Sequence, residues 1–273
     1  MERWAKSISP SIFIYLEMRQ MDIKEISDEV EHRIKPKGAP IAFKMVEKDK
    51  TSEYKNIKKM RRRLTLCQVL KLVAIHEKTY RVDSKSLAGC VFGPYILGFE
   101  ELPEKLKAKW LSGKEYTEEG YEKMIQDIVH LPQGKYQEAI FGPLKDFHEL
   151  KIDPDGIILI VNTTQAYLLL GGYYDSEFKK PYSNFNGHAA CEIVATLTLG
   201  NHPWLNIPCG GARAMAHVQD DEIWLGMDVE ELEKALTRLK EIGAKYPPQV
   251  YPLLTAGPHP RHPWTKLLGK DED

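Results

Sequence analysis

Hydrophobic and polar positions recur along the chain with two different periods, which together predict a mixture of helices and strands. Apolar residues return at four-residue steps among charged ones over residues 24–34, a spacing that predicts an amphipathic helix. Short apolar runs at 41–46 and 157–161 predict strands, the second being the clearest in the chain. Longer apolar or amphipathic stretches predict further helices at 66–75, 117–130, 164–174 and 190–199, and after Asp228.

The order of these elements repeats once. Each half has a helix, a strand, a helix that begins near a cysteine, a loop with a second cysteine, and a final helix. Aligning the halves matches Cys67 with Cys191 and places Cys90 and Cys209 in glycine-containing turns. The amphipathic stretch at 136–150 takes the place of the first helix in the second half. We interpret the repeat as an internal duplication; the alternative is that two α/β segments resemble each other by chance.

The predicted architecture is therefore one globular α/β (or α+β) unit, built from two similar halves around a pseudo-twofold axis. The first half covers residues 24–130 and the second covers 136–245. Residues 1–23 form an N-terminal extension. The proline-rich segment 246–273 is expected to be a tail that runs over the surface.

Composition excludes several classes of protein. Of 273 residues, 42% are apolar and 28% charged, which is typical of a folded chain. Lys and Arg total 38 against 39 Asp and Glu, so bulk positive charge for nucleic acid or an anionic membrane is missing. No apolar run approaches the roughly 20 residues of a spanning helix. We expect a cytoplasmic protein whose cysteines are thiols. The basic cluster at 61–63 is interpreted as an exposed face.

Several short motifs resemble the markers of the DUF169 family, in order and in spacing, over roughly residues 30–245. These motifs lie at 40–44, at Cys67 with Ala74, at Gly89 and Cys90 with Gly93 and Gly98, at 153–158, at 187–191 and at 209–213. The resemblance implies an uncharacterised protein of a kind found mainly in anaerobic bacteria and archaea. It supports the architecture and the choice of cysteines, and it brings no catalytic residues, so whether the protein is an enzyme stays open.

The candidate metal ligands are Cys67, Cys90, Cys191 and Cys209. No Cys-x-x-Cys pair is present, so spacing alone does not indicate a metal. Their placement carries the hypothesis, because a helix N-terminus favours the thiolate that binds metals, and glycine turns let the backbone approach a cofactor. Two halves packed about a twofold axis would bring the sulfurs together, in a set that suits a [4Fe–4S] cluster or zinc. The alternative is that all four are small buried apolar residues.

The segment 209–213 is a candidate pocket for a small anion. Gly210 and Gly211 allow the positive φ angles that a nest of backbone N–H groups requires. Arg213 offers a planar fork for a carboxylate or phosphate. The alternative is a tight turn in which Arg213 lies on the surface and pairs with an acidic residue at 220–222.

Three functions are compatible with these features. The first is an Fe–S or other metal protein with an anion pocket, which would exchange electrons with a redox partner. The second is a metal-free thiol enzyme, with Cys209 or Cys191 as nucleophile and Arg213 orienting an acidic small molecule. The third is a non-catalytic ligand-binding or accessory protein. His188, three residues before Cys191, is an accessory candidate as a ligand or a base.

Overall fold

A seven-stranded sheet forms the centre of the described structure. The computed structural model describes residues 21–113, 117–183 and 190–248. The strands are β1 (Ile41–Glu47), β2 (Tyr80–Val82), β3 (Tyr136–Pro143), β4 (Gly156–Val161), β5 (Tyr182–Ser183), β6 (Trp204–Asn206) and β7 (Ile223–Met227). Their order is β2-β3-β1-β4-β7-β6-β5. Each neighbouring pair is antiparallel except β5 and β6, which are parallel.

Helices cover both faces of this sheet. They are α1 (Ile23–Arg33), α2 (Leu66–His76), α3 (Ser84–Leu87), α4 (Phe92–Ile96), α5 (Glu104–Ser112), α6 (Glu118–Asp127), α7 (Leu144–Leu150), α8 (Thr163–Glu177), α9 (Glu192–Thr198), α10 (Gly210–Ala216) and α11 (Val229–Glu241). A 3₁₀ helix spans Lys48–Tyr54. None of the described helices is both long enough and apolar enough to cross a membrane. The mixed α/β class predicted from the sequence is confirmed.

Strand alternation divides the interior into two apolar cores. Along β1, Ile41, Phe43 and Met45 belong to one core, whereas Ala42 and Val46 belong to the other. The first core is covered by α2 to α6, α9 and α10 and contains all four cysteines, so we call it the cysteine face. The second core lies under α1, α7, α8 and α11, and we call it the opposite face.

Side-chain caps fix where several helices begin. Thr65 caps α2, because its hydroxyl accepts the Gln68 N–H at 3.1 Å and the Gln68 side chain accepts the Thr65 N–H at 2.8 Å. Asp228 and Glu231 form the same reciprocal cap at the start of α11. The helix predicted at 66–75 and the helix predicted after Asp228 are therefore confirmed, as are the strands predicted at 41–46 and 157–161.

The structure corrects the prediction for residues 136–150. This stretch is not one amphipathic helix: residues 136–143 form β3, and α7 begins only at Leu144. Within β3, Ala139 and Phe141 belong to the cysteine face and Ile140 to the opposite face, which is the two-residue period of a strand. Because β3 lies between β1 and β2, the predicted start of the second half completes the sheet of the first.

Strand order on the two sides of the sheet centre is the same. β1 and β4 are antiparallel neighbours, with Ile41 opposite Ile158. Outward from β1 come β3 and then β2, and outward from β4 come β7 and then β6. A duplication predicts this arrangement, and the twofold symmetry itself stays a prediction. Of the predicted terminal segments, residues 1–20 and 249–273 lie outside the described residues.

Two adjacent glycines of α8 give a matched test of packing on the opposite face. A Cβ on Gly172 would lie 2.7 Å from the Ala235 carbonyl oxygen of α11, whereas a Cβ on Gly171 would have nothing within 4 Å. We expect Gly172→Ala to lower the free energy of unfolding by about 1–3 kcal/mol through overpacking. Gly171→Ala should raise it by up to about 1 kcal/mol, since alanine favours helix. Urea denaturation checks both values, and equal effects at the two positions would contradict this packing.

Candidate functional site

Each of the four cysteines stands at or just before the start of a helix on the cysteine face. Cys67 is the second residue of α2, and Cys90 precedes α4 by two residues. Cys191 and Cys209 are the residues immediately before α9 and α10. The predicted helix-start positions of Cys67 and Cys191 are thus confirmed. Cys67 and Cys191 are buried, and Cys90 and Cys209 are half-buried.

The segments that hold Cys67 and Cys90 lie directly against each other. The Gly89 N–H donates to the Leu64 carbonyl at 3.1 Å. A Cβ on Gly89 would lie 2.5 Å from the Leu64 carbonyl carbon, so only glycine permits this close approach. The contact therefore places the residue after Gly89, which is Cys90, beside the N-terminus of α2.

Two side-chain amides connect the remaining segments. The Gln68 amide of α2 donates to the Met215 carbonyl of α10 at 2.9 Å, which ties the Cys67 helix to the Cys209 helix. The Asn206 amide donates to the Ala190 carbonyl at 2.9 Å, which ties the start of α9 to the strand that precedes α10. In addition, α4 packs against α9. The four cysteine-bearing segments therefore form a closed ring of neighbours.

The electrostatics of the thiols reflect this proximity. Burial raises the pKa of the Cys67, Cys90 and Cys191 thiols, most strongly for Cys191. The other three cysteines raise the pKa of Cys191 further, because neighbouring thiolates would repel each other. Hydrogen bonds act in the opposite direction on two of the pKa values: Cys67 contacts the Thr65 hydroxyl at 2.9 Å, and Cys90 accepts backbone N–H groups. Without a metal, burial therefore favours the protonated form of Cys67, Cys90 and Cys191.

The four thiols do not form an assembled site for a single ion. Zinc with bonds of about 2.3 Å to four sulfurs places those sulfurs roughly 3.8 Å apart. Among the residues described, no three cysteine sulfurs belong to a group whose ligand atoms all lie within 4.8 Å of one another. The cysteines are thus neighbours that are spaced too widely for one shared ion, and the sequence prediction of such an arrangement is not confirmed.

Gly210 and Gly211 do not have the positive φ angles that a nest at 209–213 requires. They are the first residues of α10. The reason is local: the Cys209 sulfur accepts the Ala212 N–H at 3.4 Å and caps the helix, which then runs through both glycines. Arg213 is part-exposed and pairs with Asp220 at 3.3 Å, as the alternative interpretation expected. Anion binding by this segment stays a prediction, and His188 lies outside the described residues.

A second polar cluster was missed by sequence reasoning. His202 Nδ1 lies 2.8 Å from a Glu231 carboxylate oxygen, and its Nε2 lies 3.6 Å from Asp228. These are the described residues close enough together to offer three ligand atoms to one ion. The same carboxylates already cap α11, with the Glu231 N–H donating to Asp228 at 2.6 Å. The arrangement is therefore accounted for as a helix cap closed by a histidine. The sequence pattern of this cap is Asp228 followed three residues later by Glu231, and that pattern gives no information about His202.

His202 makes the stability of the cap depend on pH. The contact in which the His202 ring faces the accepting Glu231 carboxylate is the main cause that raises the pKa of His202, and the charges of Glu231, Asp228 and Glu230 act in the same direction. The stabilisation is fully present below the pKa of an unfolded histidine, about 6.5, and is lost as pH rises through the raised folded value. We expect His202→Gln to lower the free energy of unfolding by on the order of 1 kcal/mol more at pH 5.5 than at pH 9.

The measurement is the free energy of unfolding of both proteins across that pH range. An exposed histidine, His76 at the end of α2, provides the control in a His76→Gln variant, because none of the described ion pairs involves it. A cost at His202 that does not change with pH would contradict the charged pair.

Comparison with known proteins gives one match. The family model DUF169, described as uncharacterised ArCR, matches residues 29–238. Neither a curated protein nor a solved structure gives a significant match to the chain. The matched stretch contains Cys67, Cys90, Cys191 and Cys209, together with most of the sheet.

Proposed function

The chain belongs to the DUF169 family, and from its four neighbouring thiols we propose that it binds a [4Fe–4S] cluster through Cys67, Cys90, Cys191 and Cys209. When bound, the cluster would supply one-electron redox chemistry. The observation that carries the proposal is the closed ring of four cysteine-bearing helix starts on one face of the sheet. Four cysteines placed by chance in an apolar core need not lie in neighbouring segments.

The described cysteine sulfurs do not form the compact group that a single ion needs, and a cluster does not require such a group. In a [4Fe–4S] cluster the four thiolates bind four different iron atoms, so the sulfurs are separated by the width of the cluster. In a mononuclear zinc site they all contact one ion and must lie close together. Four thiols that are neighbours but do not form a compact group therefore suit the cluster better.

Donors around the thiols support a negatively charged centre. The Ala212 N–H points to the Cys209 sulfur at 3.4 Å, and the Thr65 hydroxyl lies 2.9 Å from the Cys67 sulfur. Backbone N–H groups also hydrogen-bond the Cys90 sulfur. Such bonds stabilise thiolates and tune the potential of a cluster that they hold.

We also propose that the site arose by duplication. In this proposal β1 matches β4, and the buried pair Cys67 and Cys191 at the starts of α2 and α9 is related by a pseudo-twofold axis. The half-buried pair Cys90 and Cys209 is related by the same axis. The shared strand order outward from β1 and β4 supports this pairing. A reducing cytoplasm, the proposed location, would keep the unloaded cysteines as thiols.

The metal-free thiol enzyme has less support. Its nucleophile needs a lowered pKa or an adjacent base, whereas burial raises the pKa of Cys191 well above its usual range. Arg213, which would orient an acidic substrate, is engaged with Asp220. A non-catalytic accessory role is compatible with a cluster and also with four plain thiols, so metal content separates these alternatives.

The experiment is purification without oxygen, followed by chemical reconstitution with iron and sulfide. We expect about four iron and four sulfide per chain, and a brown absorption that bleaches with dithionite. Zinc is measured in the same samples. A chain that takes up no iron, and whose four thiols all react with a thiol reagent after unfolding, would overturn the proposal.

A further inference from the structure

One side of the four-cysteine site reaches the protein surface. Cys67 and Cys191 are each only 8% exposed, whereas Cys90 and Cys209 are part-exposed. Val91, which follows Cys90 directly, is also open to solvent and is 39% exposed. A cluster held here would therefore have one buried side and one side close to the surface.

A concentration of positive charge borders this open side. Its members are exposed cations in two neighbouring segments, and we call them the basic rim: Lys58, Arg61, Arg62, Arg63 and Lys85. Among the described residues, none of the five forms an ion pair, although ion pairs are frequent elsewhere in the structure. Because the whole chain has a net charge of −1, this is a local excess.

Backbone hydrogen bonds fix the rim beside Cys90. Leu64 follows Arg63 directly, and its carbonyl accepts the N–H of Gly89, the residue before Cys90, at 3.1 Å. The Leu64 N–H donates to the carbonyl of Ser86, the residue after Lys85, at 2.8 Å. The nearest acidic residue in these segments, Asp83, is already bound by Lys59 at 2.8 Å. A second carboxylate, that of Glu100, accepts a hydrogen bond from the Ser84 hydroxyl. None of the described ion pairs joins either carboxylate to a member of the rim.

Resting on the proposed function, we infer that the basic rim and Val91 form the docking surface for a small acidic electron-carrier protein. A reduced carrier would give one electron to the oxidised cluster through the Cys90 side, so that the carrier is oxidised and the cluster reduced by one electron. No atom or proton needs to move. Electron-transfer complexes are small and transient, and complementary charge speeds their encounter rather than making it tight. An exposed apolar side chain near exposed arginines that form none of the described ion pairs suits that kind of contact.

The test uses a reduced acidic ferredoxin as the probe and stopped-flow absorption of the reconstituted protein as the readout. The rim variant is Arg61→Gln/Arg62→Gln/Arg63→Gln. The matched control, Lys24→Gln/Lys240→Gln/Lys245→Gln, removes the same charge from exposed positions in and near α1 and α11, on the opposite face. At low ionic strength we expect the rim variant to lose about tenfold in the second-order rate constant, and the control to change little. The difference should vanish in 1 M salt, where screening is nearly complete.

Iron and sulfide content are measured in the wild type, the rim variant and the control. This measurement separates the proposed cluster from the proposed docking surface. Equal cluster content with equal rates for the rim variant and the control would overturn the docking surface alone. If no protein holds a cluster, the proposed function fails, and docking is then judged by NMR titration of isotope-labelled ferredoxin with the metal-free chain. Chemical-shift changes in ferredoxin that appear with the wild-type chain and are lost with the rim variant support the docking surface. Shifts unchanged by the rim variant, or seen only with a nucleic-acid duplex or anionic vesicles as the added probe, would overturn it.

Discussion

Replacing Cys191 with alanine is expected to reduce the cluster content of the reconstituted protein from about four iron per chain to a small residue. Cys191 is buried with only 8% exposure, so a water molecule that replaced its sulfur as a ligand would have to be held inside the core. An incomplete thiolate set binds metal poorly, and the loss should appear as missing absorption and missing iron. The metal-free variant should remain folded, since alanine is smaller by one sulfur only.

The control lies on the same helix. Thr198→Ala removes a half-buried hydroxyl that donates to the Val194 carbonyl at 2.8 Å, far along α9 from its start, and should leave iron content unchanged. Circular dichroism of the metal-free proteins shows that both variants are folded. Full iron content in Cys191→Ala, with an unchanged spectrum, would remove Cys191 from the ligand set.

The second large effect is expected at a buried ion pair near the same site. Lys71 of α2 donates to both carboxylate oxygens of Glu222, at 2.8 and 2.9 Å, and the Glu222 side chain is only 2% exposed. Lys71→Met leaves this carboxylate buried without a counter-ion, so we expect the free energy of unfolding to fall by about 3–5 kcal/mol. The double variant Lys71→Met/Glu222→Leu should regain most of that loss, since no charge is then buried.

A neighbouring exposed pair serves as the comparison for Lys71. Lys37 pairs with Asp221, the residue before Glu222, and the Asp221 side chain is 60% exposed. Lys37→Met should change the free energy of unfolding by no more than about 1 kcal/mol, because water already solvates both partners. Chemical denaturation at constant pH measures all four proteins. Similar losses for Lys71→Met and Lys37→Met would show that burial does not set the strength of the inner pair.

The elements that could be predicted from the sequence are those with a complete local signal. Residues 157–161 are apolar without interruption, as in a strand covered on both faces, and they form the centre of the sheet. The cap of Thr65 and Gln68 is four residues long and fixes the start of α2 by itself. Such signals need no knowledge of the rest of the chain.

Local patterns failed where a change of structure falls inside one apolar stretch. Ala139, Ile140 and Phe147 are spaced as on a helix face, but the first two lie in β3 and point to opposite cores, and only Phe147 is helical. Pro143 marks the junction as the residue before α7, a role that proline often has at a helix start. A second local pattern misled at Gly210 and Gly211. A glycine pair is typical of a tight turn, but here the pair forms the first turn of α10.

In the candidate site, too, the locally determined features could be predicted and the long-range contacts could not. That Cys67 and Cys191 begin helices follows from sequence, but the ring of four segments depends on contacts between residues far apart, such as Gln68 with Met215. The cluster around His202 was missed for the same reason. His202 comes before β6 and meets Asp228 and Glu231 only because β6 pairs with β7 in the sheet. Neither set of contacts can be predicted from a local hydrophobic period in the sequence.

The spread of the cysteines along the chain, from Cys67 to Cys209, sets an order on maturation. A growing polypeptide carries Cys67 long before Cys209, because 141 residues lie between them. Domains fold as units while synthesis proceeds from the N-terminus. If all four cysteines hold the proposed cluster, its loading must come after Cys209 has been synthesised, and a chain truncated before Cys209 would have three of the four proposed ligands.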